Sequence, residues 1–356
     1  MNERMREFLT RLLDARGPSG AEAVPARVWR DEAATFADEV WLDVHGNSFA
    51  ASGPEDAPRI MVAGHIDEIG LMVHHIDDEG YLYVQPIGGW DPQVLVGQRL
   101  AILTDHGDVP GVIGRKAIHL IDREEREKAV KLKDLWIDIG ARDGDEARSR
   151  VSVGDVAVLH GDTMELANDR FAARSIDDRI GALVVLEALR RAAEKGLAVR
   201  AVSVATTQEE IGYRSGGGAA TGTYGVDPAA AVAVDVTHAT DHPSVDRKEF
   251  GDVKMGGGPV LTRGAVVNPV LYGLLKEAAG RAGVQLQVHA APSATGTDAD
   301  SMYTSRSGVA AAVVSIPNRY MHSPSQMVAA SDVEAAAELI ATFLAGLTGE
   351  ESFLPE

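Results

Sequence analysis

The chain has 356 residues, 45% of them apolar and 24% charged, with no cysteine and a formal net charge of −19. This is the composition of a folded protein with room for one large domain or two ordinary ones, and its charge repels phosphate, which sets nucleic acid and anionic membrane surfaces aside as partners. The missing thiols exclude disulfides, thiolate-held zinc, iron–sulfur clusters and a cysteine nucleophile, so any metal must be held by histidine and carboxylate.

Met1 to Glu7 is too polar for a signal peptide, and no run of about 18 apolar residues follows, so the expected location is cytoplasmic. Met5, Phe8, Leu9, Leu12 and Leu13 recur at helical spacing until Gly17-Pro18-Ser19-Gly20 stops them, and a second helix is expected from about Ala21 through Trp29. Val40 to Val44 alternates like a strand turned by Gly46-Asn47, and Arg59 to Gly64 is a short apolar run of the kind buried inside a sheet. From about Ile69 to His160, short β-like runs are broken by glycine, proline and aspartate, which predicts a small β-barrel or sandwich. Within it, the highly charged Asp122 to Leu132 reads as an exposed loop or helix.

After about Gly161 the rhythm is helix and strand. Ile180 to Arg191 reads as a helix, Ala201 to Ala205 and Ala230 to Val234 as buried strands, and Val270 to Ala282 as a helix. Val309 to Ile316 reads as a strand and Val333 to Leu347 as a closing helix. Such alternation makes an α/β layer structure with helices on both faces of the sheet. The simplest organisation is one α/β domain split in sequence, residues 1–67 and 163–356, with a β-rich domain inserted at 68–162.

Acids and histidines gather at the ends of these apolar runs, where open α/β sheets bind ligands. His65-Ile66-Asp67 follows the Ile60 strand; two residues apart in extended chain they face the same way, so His65 can ligate while Asp67 steadies its ring, although a polar strand end would look the same. Ser175-Ile176-Asp177-Asp178-Arg179 precedes a helix: taken alone it is a cap, but beside other ligands Asp177 becomes a carboxylate able to bridge two cations, with Arg179 anchoring the loop. In Gln208-Glu209-Glu210 an apolar strand leads straight into two carboxylates, which suits one glutamate to metal binding and the other to general base work. Asp235, at the end of the Ala230 strand, is a third carboxylate ligand, and nearby His238 is better placed to hydrogen-bond its loop than to ligate. His322 sits between Pro317 and Pro324 in a stiff loop that is either a ligand loop or an ordinary turn. Together these donors suit a pair of divalent cations, most simply zinc or cobalt, that activate one water and polarise a carbonyl.

The motifs resemble those of the tetrahedral (TET-type) dinuclear metallo-aminopeptidases, a family that includes glutamyl aminopeptidases. The resemblance rests on Ala63-Gly64-His65-Ile66-Asp67-Glu68-Ile69-Gly70, Ile176-Asp177-Asp178-Arg179, Gln208-Glu209-Glu210-Ile211-Gly212, Asp235-Val236-Thr237-His238-Ala239, Gly296-Thr297-Asp298-Ala299 and Arg319-Tyr320-Met321-His322-Ser323-Pro324, in the family's order and over nearly the whole chain. It implies a mixed-sheet, three-layer, zinc-peptidase-like catalytic domain carrying an inserted small β-barrel that drives dimerisation. It implies that His65, Asp177 and Asp235 hold one metal and Asp177, Glu210 and His322 the other, with zinc, cobalt or manganese bound. Glu209 would be the general base and Asp67 the residue that orients His65, and the Asp177–Asp178 peptide would be cis. The substrates would be short peptides with a free amino terminus, cut inside a hollow dodecamer assembled from dimers. Two departures stand out: Gln326 replaces a usual acidic residue, and Tyr213 to Gly218 is richer in glycine than the family pattern.

Other functions fit less well. A glycosidase built on Glu209 and Glu210 would need its carboxylates about 5 Å or more apart on opposite sides of the bond, and aromatic platforms for sugar are few at 5%. Gly216 to Gly218 follows a polar loop and lacks the lysine of a phosphate loop. No Gly-x-Ser-x-Gly elbow is present for a serine hydrolase, and a non-catalytic scaffold would not need every metal-ligand type.

Overall fold

Two kinds of sheet divide the strands in the computed structural model, which describes residues 1–212 and 216–355. The first three strands are β1 (Glu39–Leu42), β2 (Ser48–Ser52) and β3 (Arg59–His65). Six more close into a barrel: β4 (Gly70–Ile76), β5 (Leu82–Ile87), β6 (Arg99–Thr104), β7 (Gly107–Gly114), β8 (Trp136–Asp138) and β9 (Val156–Leu159), in the order β4-β5-β8-β7-β6-β9. The chain then makes β10 (Met164–Leu166), β11 (Arg170–Ala173), β12 (Arg200–Thr206), β13 (Ala230–His238), β14 (Val260–Gly264), β15 (Gln287–Ala291), β16 (Ala310–Asn318) and β17 (Gln326–Ala329).

The large sheet has the order β1-β2-β12-β3-β13-β16-β14-β15, and β10, β11 and β17 form a small one beside it. Its four central strands, β12, β3, β13 and β16, run parallel, while β2 and β14 join them antiparallel, so the sheet is mixed. Period-2 alternation sorts its side chains between two helical layers. Ile60 and Val62 of β3 pack with Leu183 and Leu186 of the helix Ile176–Lys195 and with Ile340 and Phe343 of the closing helix Ala330–Ala345. Met61 and Ala63 point the other way, to Val204, Ala219 of the helix Gly217–Val226, and Met302. The barrel has a core of its own, including Leu71, Leu82, Leu100, Ile113, Ile137 and Leu159.

Several elements differ from the sequence expectation for physical reasons. β13 runs on past Val234 to His238 because Asp235 to His238 stay in register with Ser315 to Asn318 of β16, polar or not. The helix expected from Ile180 begins at Ile176 and continues to Lys195, with Asp177 and Asp178 off helical angles at ψ 107° and 35°. The peptide between those two residues is cis. β14 and β15 carry Arg263 and the exposed Val288 at the sheet edge, so their apolar pattern is thin. The charged segment holds only a one-turn helix, Arg123–Arg126. Of the glycine-rich departure, Tyr213 to Ser215 lie outside the described residues, and Gly217 opens a helix. Among the described residues no helix is long and apolar enough to cross a membrane.

Candidate metal centre

The parallel strands end at one edge of the sheet, and the polar residues that follow them meet there. β3 ends on His65, opposite Thr206, the last residue of β12; after Thr207 and Gln208 that chain reaches Glu209 and Glu210. β13 contributes Asp235, and the loop after β16 contributes His322. Asp177 comes from the start of the long helix that lies across β3 and β13.

Two three-residue groups result. His65, Asp177 and Asp235 offer donor atoms within 4.8 Å of one another, and so do Asp177, Glu210 and His322. Asp177 belongs to both: its Oδ1 lies 3.1 Å from His65 Nε2 and its Oδ2 3.4 Å from His322 Nε2, which in turn is 3.2 Å from Glu210 Oε2. Glu209 stands outside both groups, its Oε2 3.9 Å from His65 Nε2. His238 joins neither. Its side chain makes no hydrogen bond among the described residues, so the loop contact expected for it is not formed, and it lines the cavity instead. That cavity, about 660 Å³, is bordered by Glu209, Asp235, Thr295, Asp298, Met321 and His322 among others.

Buried acceptors hold these groups in place. Asp67, fully buried, lies behind His65 with Oδ1 3.4 Å from Nδ1, and accepts the backbone N–H groups of Glu209 and Glu210 at 3.2 Å each. Ser19 donates its hydroxyl to Asp67 at 2.6 Å. Glu22 receives the N–H of Gln208 at 3.1 Å, and Asn47 that of Thr207 at 3.1 Å, so the strand end carrying both glutamates is gripped from behind. Asp178 accepts the N–H groups of His65 at 3.2 Å and Gly181 at 3.1 Å. This is possible because helix and strand touch through glycine: a Cβ on Gly64 would lie 2.4 Å from the Gly181 carbonyl carbon. Arg179, wholly buried, ties the helix start to the carbonyls of Leu12 at 2.6 Å and Ile66 at 3.2 Å and to Glu68 at 2.8 Å. Gln326, where an acid was expected, supports the start of the helix: its Oε1 accepts the N–H of Asp177 at 2.7 Å and the Asn318 amide at 3.2 Å, contacts a neutral amide satisfies without adding charge. The His322 loop is pinned by Arg319, paired to Asp241 at 2.8 and 3.0 Å.

The electrostatics follow from carboxylates in excess of cations. Burial raises Asp177, but hydrogen bonds with His322 and His65 outweigh it and hold the group below the usual carboxylate range. Burial pulls both histidines down, yet the carboxylates around them win: His322 rises to about 11, and His65 is held well above its ordinary value. Asp235 is pushed well up by burial and by Asp177, while Glu209 is pushed well up by burial and by Asp235 and Asp298. Glu210 is raised by burial and by Asp177, and its Oε1 is buried with no hydrogen-bond partner among the described residues. Histidine nitrogens and carboxylate oxygens with unmet negative charge are the donor set of a hard or borderline divalent cation.

A model of the M42 glutamyl aminopeptidase family matches residues 46–339. The chain belongs to the M42 glutamyl aminopeptidase family. It is a hydrolase acting on peptide bonds. This M42 chain is 37% identical to a lysyl aminopeptidase of Pyrococcus furiosus over 95% of its own length and 96% of the relative's. Among solved structures it superposes on a TET aminopeptidase from a marine sediment Thaumarchaeota archaeon with a TM-score of 0.91, at 35% identity, covering 97% of each chain. It also resembles the TET1 peptidase of Pyrococcus horikoshii, which can assemble into a tetrahedron or a large octahedral shell, with a TM-score of 0.84 at 30% identity over 96% of this chain and all of that one.

Apart from the motifs that carry the resemblance, which include Asp178 and Asp298, several residues of the M42 site have no signal of their own in the sequence. Ser19 reads only as part of a helix stop, and Glu22 as an ordinary helix residue. Asp178 is masked by its place in a helix cap, and Asp298 by a loop of small residues. Each acquires meaning only through a partner distant in the chain, such as Ser19 with Asp67 or Glu22 with Gln208.

Proposed function

We propose that the chain removes the first residue from short peptides with a free amino terminus, using two divalent cations, zinc foremost and cobalt or manganese as alternatives. His65, Asp177 and Asp235 would hold one and Asp177, Glu210 and His322 the other. The observation that carries this reading is Asp177, whose two oxygens each face a different histidine. When bound, such a pair supplies an activated water and a polarised scissile carbonyl.

The rest is work for the chain's own residues. Glu209 is the general base: it lies beside both groups but belongs to neither, and its raised affinity for a proton suits it to take one from water and pass it to the leaving amine. Asp67 holds His65 with Nε2 turned to Asp177, and through the two N–H groups it accepts it sets the spacing of Glu209 and Glu210 as well. Residues 1–67 and 163–356 act as the catalytic domain and 68–162, which contain the barrel, as an inserted dimerisation domain. Self-association into a tetrahedral dodecamer built from dimers is the assembly we propose by analogy with the Pyrococcus horikoshii relative; a cytoplasmic location, with neither nucleic acid nor membrane as partner, completes the reading.

Chelation tests it. Stripped protein is expected to lose cleavage of aminoacyl chromogenic substrates and to regain it with zinc, cobalt or manganese, while N-acetylated peptides resist throughout. Cleavage that survives chelation, or equal cleavage of blocked peptides, would overturn the proposal.

A further inference from the structure

Asp298 belongs to neither three-residue group, yet it lines the same cavity. It is only 6% exposed. Its Oδ2 accepts the hydroxyl of Thr206, and Thr206 stands opposite His65 across the β12–β3 ladder, which places the carboxylate beside the strand ends that carry the first group. Its charge bears on Glu209 and Asp235 alike. The other oxygen, Oδ1, has no hydrogen-bond or ion-pair partner among the described residues. A carboxylate this buried is unfavourable unless a cation meets it, and among the described residues the cationic side chain whose charge bears on it, His65, is committed to Asp177 and Asp67.

The loop that presents Asp298 is held rigidly. Asp300 accepts the N–H of Thr295 at 2.9 Å, its hydroxyl at 2.8 Å, and the N–H of Gly296 at 2.8 Å. Those bonds use up Asp300, the neighbouring carboxylate on the cavity wall, and leave Asp298 open. In a peptide only one tetrahedral carbon separates the α-nitrogen from the first carbonyl. A carbonyl seated against the Asp177 groups therefore brings its amine to the adjacent wall, where Asp298, unlike Asp300 on the same loop, has an oxygen to spare.

We infer that Asp298 is the receptor for the α-ammonium group of the first substrate residue, and so the residue that makes the enzyme read a free amino terminus. The inference rests on the aminopeptidase reading of this cavity and adds the specificity-determining contact to it. The ammonium donates to Oδ1 while Thr206 fixes Oδ2, a charge-assisted bond that an amide in the same place accepts far more weakly.

The test compares two ligands that differ only in the amine: leucine hydroxamate and its des-amino analogue, 4-methylpentanohydroxamate. Their dissociation constants are measured on metal-loaded wild type, Asp298→Asn and Asp298→Ser, with bound metal and unfolding midpoint recorded for each protein. Wild type is expected to favour the amine-bearing ligand about ten- to a hundredfold. Both variants are expected to shrink that preference to within about threefold, with the des-amino affinity and metal content unchanged. A preference retained in the variants, or equal weakening of both ligands, overturns the inference. A wild type that binds neither ligand and cleaves no aminoacyl substrate would instead remove the aminopeptidase reading beneath it.

Discussion

Asp67→Asn replaces two acceptor oxygens with one acceptor and one donor at a point where four donors converge. Oδ1 faces the Glu209 N–H at 3.2 Å and His65 Nδ1 at 3.4 Å; Oδ2 faces the Ser19 hydroxyl at 2.6 Å and the Glu210 N–H at 3.2 Å. Whichever way the new amide is set, its NH2 meets a backbone N–H. One buried donor is orphaned, at about 1–3 kcal/mol, and the remaining bonds lose the strength that charge gave them. A destabilisation of about 2–4 kcal/mol is expected in urea unfolding of the metal-free protein. His65 keeps one acceptor, since its Nδ1 also lies 3.2 Å from the Asp67 carbonyl. Loss of metal affinity therefore falls at the low end of what such supporting groups confer, about tenfold rather than a hundredfold, measured by competition with a chromophoric chelator. If Asp67→Asn bound metal within twofold of wild type and unfolded at the same urea concentration, the role given to Asp67 would be refuted.

Glu209→Gln is expected to keep both metals and to lower kcat by about 10²- to 10⁴-fold; near-normal turnover would remove Glu209 from proton transfer. Glu22 gives a pH signature in stability. Burial and the charge of Asp67 raise its carboxyl from 4.5 to about 7. Between those two values the unfolded chain gives up the proton first, so stability falls as pH rises through that window and levels off above it. The ceiling on the loss is about 3 kcal/mol. Metal-free Glu22→Gln is accordingly expected to lose less stability than wild type between pH 5 and pH 8, and identical losses in the two proteins would contradict the assignment.

How much was legible depended on how local the signal was. His65, Glu209, Glu210, Asp235 and His322 each come shortly after a hydrophobic run gives way to polar residues, and that transition can be seen in a short stretch of sequence. What brings them together is the strand order β12-β3-β13-β16, a non-local property that alternation alone does not specify. Asp177 is a harder case, because an acid at a helix start is ordinarily a cap; only the crossing of the long helix over β3 and β13 turns it toward two histidines. Asp67 and Arg179 could be read as supporting residues because they adjoin the ligands, but the contacts of the more distant ones were illegible for the same reason. Ser19 lies 48 positions from Asp67, Gln326 lies 149 from Asp177, and Glu22 lies 186 from Gln208. The strands β14 and β15 escaped notice because β15, at the sheet edge, is half-exposed and needs little apolar sequence, and β14 beside it has only Val260 and Leu261 before Thr262 and Arg263.

Metal titration of the stripped protein measures the central claim most directly. With Asp177 shared between two groups, bound zinc is predicted to reach two equivalents per subunit and peptidase activity to saturate only at the second, whereas Asp177→Ala should hold neither ion tightly. Full activity at one equivalent, or two tightly held ions in the absence of the Asp177 carboxylate, would contradict the account.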